Sequence, residues 1–264
     1  MAPGAVEVQP ITPIAVKKEL KSSKSPLPEV KEFDAATCTV DELVDALRVA
    51  GGVVVRNMLT KEEVEQIEGD LNEMLLQVGD KNEPSVSGPQ LNNTIVFSIG
   101  PGARDQALHR DDPIHHRDWP AVAEHELGRD GGIGFFIGGK RTTRENGATR
   151  FIPGSHLWDY AEGPPREDQA FYAELQPGDG FMVMSGCFHG GSANKTKDEE
   201  RLVFSTFSTR GWMRQEENQY LANDIEKIKE LPEWFQERVG YGLSRPFLGW
   251  VDLKNPMLVL HPVR

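Results

Sequence analysis

Cysteine is nearly missing: Cys38 and Cys187 are the only two in 264 residues. Two thiols cannot build a disulfide framework, which points to a reducing compartment, with the cytosol as the expected location. Long apolar runs are missing too. The longest, such as 132–137, fall far short of a bilayer span. No apolar h-region stands at the N-terminus, and His261-Pro262-Val263-Arg264 is not the peroxisomal tripeptide. Positive charge is scarce, with 29 Lys and Arg against 41 Asp and Glu and a formal net charge of -12. That balance disfavours nucleic acid and anionic membranes as partners.

What remains is the composition of a globular chain, 38% hydrophobic and 27% charged, with a length that suits one domain. Residues 1–32 carry Pro, Lys, Ser and Val without a period and are expected to form a disordered leader, leaving 33–264 as a single domain. Thr39-x-x-Glu42 is a capping box, followed by Val40, Leu43, Val44 and Leu47 at helical spacing and stopped by Gly51-Gly52. Thr60-x-x-Glu63 is a second box and predicts a helix over 60–77. Strands are predicted near 92–99, 104–110, 132–138, 148–152, 171–175, 181–185, 187–192 and 201–209, with a helical turn at 119–127. Eight strands without an intervening helical pattern suggest a mainly β fold. The expected architecture is a double-stranded β-helix, or jelly roll, with flanking N- and C-terminal helices. Its core would span about 92–210. Beyond it, 216–230 has helical spacing, Leu231-Pro232 opens another short helix, and 211–264 reads as a helical and irregular cover.

Leu108-His109-Arg110-Asp111-Asp112 closes the second of these strands. Alternation across a strand puts His109 and Asp111 on one side. A third ligand, His189 in Phe188-His189-Gly190, completes the two-His-one-carboxylate set that holds non-haem Fe(II) on one face. Zinc accepts the same donors, so residue types alone leave open a zinc hydrolase or a barrel with a structural metal. Asp112 is expected on the opposite face, supporting the site or solvated. Arg201 begins the apolar run Leu202-Val203-Phe204. A cation at the start of an inward-facing strand needs an anionic partner, because an unpaired buried charge is costly. His156 is expected to stabilise its Pro-Gly-Ser-His turn, His115 and His116 to be polar loop residues, and Arg150 to be solvated. Gly138-Gly139 and Gly190-Gly191 would allow close backbone approach.

Several further stretches keep company with these residues. Gln106 stands three residues before His109, and Arg201 twelve after His189. Between them lie Glu145-Asn146-Gly147-Ala148-Thr149, Pro153-Gly154-Ser155-His156 and Gln176-Pro177-Gly178-Asp179. From about Asn92 to Arg210 this order closely resembles the phytanoyl-CoA dioxygenase-like (PhyH) family of Fe(II)/2-oxoglutarate oxygenases. Within it, the chain looks most like the fungal branch that oxidises meroterpenoids and indole alkaloids. The resemblance implies Fe(II) on His109, Asp111 and His189, and 2-oxoglutarate as co-substrate. Arg201 would take the C5 carboxylate as a planar two-bond donor, with Thr149 as hydroxyl partner and Gln106 as an amide near the metal. Chemistry alone would equally make Thr149 an ordinary strand residue. The implied reaction consumes O2, yields succinate and carbon dioxide, and hydroxylates, desaturates or otherwise oxidises a hydrophobic small molecule such as a fungal secondary metabolite.

One departure stands out. The family carries a long segment between its N-terminal helix and the H-x-D strand, whereas Leu76 and Asn92 here are sixteen positions apart. The short 78–91 connection would leave a barrel flank bare, inviting a homo- or heterodimer partner. A non-catalytic barrel that pairs with an active relative is therefore the second reading, and a metallohydrolase the third.

Overall fold

The computed structural model describes residues 20–64, 88–162, 165–244 and 248–262. It is mainly β. Strands β1 (Glu32–Asp34), β2 (Gly52–Arg56), β3 (Pro89–Ile99), β4 (Gly132–Gly138), β7 (Gly180–Met184) and β9 (Arg201–Arg210) form one sheet. Its order is β1-β2-β7-β4-β9-β3. Strands β5 (Thr149–Phe151), β6 (Phe171–Tyr172) and β8 (His189–Gly191) form a second sheet in the order β6-β5-β8. Every pairing is antiparallel except β1 with β2.

The core lies between the sheets. Val54, Phe136, Phe181, Val183 and Val203 of the large sheet pack in one cluster with Phe151 of the small sheet and with Ala173 and Leu175. The inward residues of β4 and β7 alternate with less buried ones, as strands with one covered face must. Val53-Val54-Val55 is buried throughout because α1 (Val40–Ala50) covers the other face of β2 through Ala46 and Leu47. The Thr39–Glu42 capping box forms as expected, and Gly51 closes α1 in the left-handed region at φ 74.

Several expectations give way. Residues 104–110 are no strand. They run beside β8 with bonds at Gln106 and a lone bridge between His109 and His189. No helix forms at 119–127. The helix expected over 216–230 is two short pieces, Gln219–Ala222 and Ile225–Glu230, because Asn218 and Asp224 each cap a new start. Part of the stretch expected as a leader is packed: Lys21 donates its backbone N–H to Val122, Ser23 bonds Glu162, and Val30 joins the core. The helix expected over 60–77 is described only at 61–64. The rest of it, with most of the 78–91 connection, lies outside the described residues. Among the described residues no helix is long and apolar enough to cross a membrane.

Candidate metal and co-substrate site

His109, Asp111 and His189 converge. Their ligand atoms lie within 4.8 Å of one another, and among the described residues they form the only such group of three that can hold a metal ion. Nε2 of His109 is 3.4 Å and Nε2 of His189 3.5 Å from the two oxygens of Asp111. Nδ1 of His109 is 2.9 Å from the Ala107 carbonyl and Nδ1 of His189 is 3.1 Å from the Cys187 carbonyl. A carbonyl only accepts, so each Nδ1 carries a proton and each Nε2 is the ring atom that faces Asp111; the hydrogen bond to Asp111 holds the His109 imidazole above its ordinary pKa. Burial holds the His189 imidazole below its ordinary pKa, which favours the neutral, ligating form. Burial alone would raise the Asp111 carboxyl, yet the facing histidines hold it below its usual range.

The three residues do not meet through strand alternation, as the sequence reading had it. His109 and His189 exchange both backbone bonds, each 2.9 Å. Asp111 then turns into the right-handed helical region at φ -88 and opens a 3-10 turn at Asp112–His115. Its N–H is held by the Ser185 carbonyl at the end of β7, 2.9 Å away. Gly190 permits the close passage, since a Cβ there would stand 3.1 Å from the Gln106 carbonyl. Asp112 is fully buried and accepts from Gly131 N at 2.8 Å, Tyr160 Oη at 2.7 Å and Ser185 Oγ. It supports the turn and is not solvated.

The cluster opens into a cavity of about 480 Å³ whose walls include Phe97, Ile114, Phe136 and Phe207. Arg201, Thr149 and Gln106 line the same cavity. Arg201 is 3% exposed. Its Nη2 donates to Thr149 Oγ1 at 2.9 Å, while its Nε is buried with no partner. No carboxylate among the described residues pairs with it, and burial pushes its guanidinium down to about 10. Such a cation is costly unless a ligand brings the missing charge. Gln106 accepts from Gly191 N through Oε1 at 3.1 Å, which orients its side-chain amide.

Other expected residues separate from the centre. His156 is fully buried with Nε2 3.1 Å from the Arg48 carbonyl, tying its turn to α1. His115 lines the cavity, and His116 takes φ 55 at the end of the 3-10 turn. Arg150 overturns its expectation outright. It is 2% exposed, donating to Asp105 at 3.1 Å, to the Gln106 carbonyl at 2.9 Å and to Glu167 at 3.0 Å. Alternation correctly sent it away from Thr149, but the 104–108 segment covers that outer face. No local signal announces such a cover.

Comparison with known proteins gives a consistent picture. The family model described as Phytanoyl-CoA dioxygenase (PhyH) matches residues 80–203, which include all six of these site residues. Dioxygenase cnsJ of Penicillium expansum is 34% identical over 297 residues, covering 93% of this chain and 89% of the relative. Dioxygenase himG of Aspergillus japonicus is 32% identical over 298 residues, with 89% and 92% covered. Dioxygenase peniF of Penicillium patulum is 47% identical over 176 residues, 66% of this chain and 57% of that one. Two of these alignments are longer than the 264-residue chain, so each relative has internal residues without counterpart here.

Proposed function

From the premise that this chain belongs to the phytanoyl-CoA dioxygenase family and is a dioxygenase, we propose that it uses Fe(II) and 2-oxoglutarate to oxidise a hydrophobic small molecule, a fungal secondary metabolite. The observation that carries this reading is Arg201: a buried guanidinium with no carboxylate partner among the described residues, lining the same cavity as a His-Asp-His cluster. A zinc hydrolase would use the same three ligands but has no need of that cation. The two packed sheets are read as the jelly roll of the family, and the free, unpaired Cys38 and Cys187 are in keeping with the cytosol.

The donor set suits the metal. Two neutral imidazoles and one carboxylate grouped on one side leave the cavity side for other ligands. His109, Asp111 and His189 would hold Fe(II), with Ala107 and Cys187 fixing the two rings through their carbonyls. Arg201 and Thr149 would take the C5 carboxylate of 2-oxoglutarate, and Gln106, its Oε1 held by Gly191 N–H, would help hold the co-substrate near the metal. Bound iron and 2-oxoglutarate supply the oxidising power, consuming O2 and releasing succinate and carbon dioxide. The chain's part is orientation and exclusion: Phe97, Ile114, Phe136 and Phe207 favour an apolar substrate and keep water from the reacting carbon.

The test is an anaerobic titration with Fe(II) and then 2-oxoglutarate, following the weak visible charge-transfer band of the chelate. The wild type should develop the band. His109→Ala, Asp111→Ala and His189→Ala should not, while remaining folded. A protein that binds Fe(II) but never gives the band with 2-oxoglutarate would overturn the co-substrate assignment.

A further inference from the structure

Arg110 stands between two of the proposed ligands and is 8% exposed. Its guanidinium lies over the Phe188 ring at 3.7 Å and over the Tyr160 ring at 4.3 Å. Nε donates to the Gly186 carbonyl at 2.9 Å and Nη2 to the Ser155 carbonyl at 3.0 Å. No carboxylate among the described residues stands within ion-pair distance. Phe188 is the residue immediately before His189, so the side chain between two ligands grips the residue adjoining the third.

Such a grip is needed because no backbone bond ties this segment to the residues just before His189. The two segments share one bridging pair, His109 with His189, and one more backbone bond from the Gln106 N–H to the Gly191 carbonyl at 3.0 Å. Beyond His109 the ladder does not continue: the Asp111 N–H goes to the Ser185 carbonyl, and among the described residues no backbone bond joins this segment to Cys187 or Phe188. Arg110 supplies a fixed point there through its side chain, outside the cavity that the proposed ligands line, holding Gly186 and Phe188 on both sides of Cys187. Tyr160 in turn donates to Asp112 Oδ2 at 2.7 Å, joining the stack to the residue that follows Asp111.

We propose that Arg110 is a positioning residue for the metal site: held between Phe188 and Tyr160, it sets how His189 faces His109 and Asp111 before any metal arrives. This rests on the reading of those three residues as metal ligands. The geometry calls for arginine in particular. A planar guanidinium presents two faces to two rings while its edge bonds diverging carbonyls, whereas a lysine ammonium is a point charge with no face to stack.

The experiment uses the full chain and Co(II) as the anaerobic probe, reading its dissociation constant, its d–d absorption bands and the melting temperature of the metal-free protein. For Arg110→Lys the metal-free melting temperature should fall only slightly. The dissociation constant should rise about tenfold or more, the range for groups that orient ligands from behind, with shifted d–d bands. Phe188→Leu, which keeps apolar bulk but loses the ring face, should move in the same direction, and Phe188→Tyr should restore affinity. If Arg110→Lys does not fold, the Phe188→Leu and Phe188→Tyr pair decides alone. Unchanged Co(II) affinity and bands in Arg110→Lys or Phe188→Leu would overturn the proposal while leaving the ligands in place. A wild type that binds no Co(II) would instead overturn the ligand reading itself, and this inference with it.

Discussion

Arg201 concentrates the energetics of the site in one side chain. Its charge is desolvated and met, among the described residues, by the Thr149 hydroxyl and at 6.0 Å by the Phe97 ring but by no carboxylate, so the ligand-free protein holds a cation it would be better off without. Two consequences differ in size. Arg201→Gln should weaken 2-oxoglutarate binding by roughly ten- to a hundredfold, the worth of about 1.5–3 kcal/mol for a charge-assisted pair. The same substitution should cost the ligand-free protein little stability. Calorimetric titration with 2-oxoglutarate and a thermal melt of the apoprotein read the two effects separately. An unmoved 2-oxoglutarate curve would place the carboxylate anchor elsewhere. Arg210, at the far end of the same strand, is no substitute: its Nε is bound to the Asp130 carbonyl and it does not line the cavity.

Between elements, the critical junction is where α1 ends against the segment leading to His189. Gly51 occupies it with φ 74, a conformation that costs other residues about 1–2 kcal/mol. A Cβ there would lie 2.2 Å from Cys187 Sγ and 2.6 Å from His156 Nδ1. Both neighbours are fully buried and have no room to retreat. Gly51→Ala is therefore expected to destabilise the protein by about 2–4 kcal/mol, backbone strain adding to overpacking. Denaturant unfolding checks the size. A loss below about 1 kcal/mol would mean that the Cys187 region yields, and that α1 is not rigidly seated behind the segment leading to His189.

Across the whole molecule, burial links stability to acidity. His156 is enclosed, and burial lowers its pKa from 6.5 to about 4 although Asp130 works to raise it; His125 and Arg129 lie nearby and assist the lowering. Between pH 6.5 and 4 the unfolded chain binds this proton and the folded protein does not, so stability falls as pH drops through that window. The full effect is on the order of 3 kcal/mol. His156→Gln should flatten the dependence of melting temperature on pH over that range, and an unchanged slope would show that other groups carry it. A second expectation concerns cover. The proposed metal and 2-oxoglutarate contacts all lie between Gln106 and Arg201, on described parts of the two sheets and the loop beside them. The relatives' extra internal residues are not needed for those contacts, but the substrate wall is another matter. The protein should bind Fe(II) and 2-oxoglutarate yet turn over weakly, with 2-oxoglutarate consumed in excess of product, unless a second subunit covers the flank. Product yield per succinate, measured alongside mass in solution, tests this. A monomer with tight coupling would show that the compact chain is complete.

From the sequence alone came whatever depends on neighbours along the chain. The Thr39–Glu42 cap and α1, the covered strands β4, β7 and β9, and the order of His109, Asp111, His189 and Arg201 all rest on local pattern and spacing. Alternation even sent Arg150 to the correct face. Tertiary structure decided what lay on each face. Arg150 is buried because a distant loop crosses it, Asp112 because Ser185 and Tyr160 close over it, and 104–110 is irregular because β8 offers it a single bridging pair. The proposed ligands meet through that bridge and a helical turn at Asp111, a geometry set by contacts between His109 and His189, 80 positions apart in the chain, and invisible to any short window of sequence. The unpaired state of Arg201 belongs to the same class. A strand-start arginine is legible in one dimension, but the absence of a carboxylate around it among the described residues is a property of the packed cavity alone.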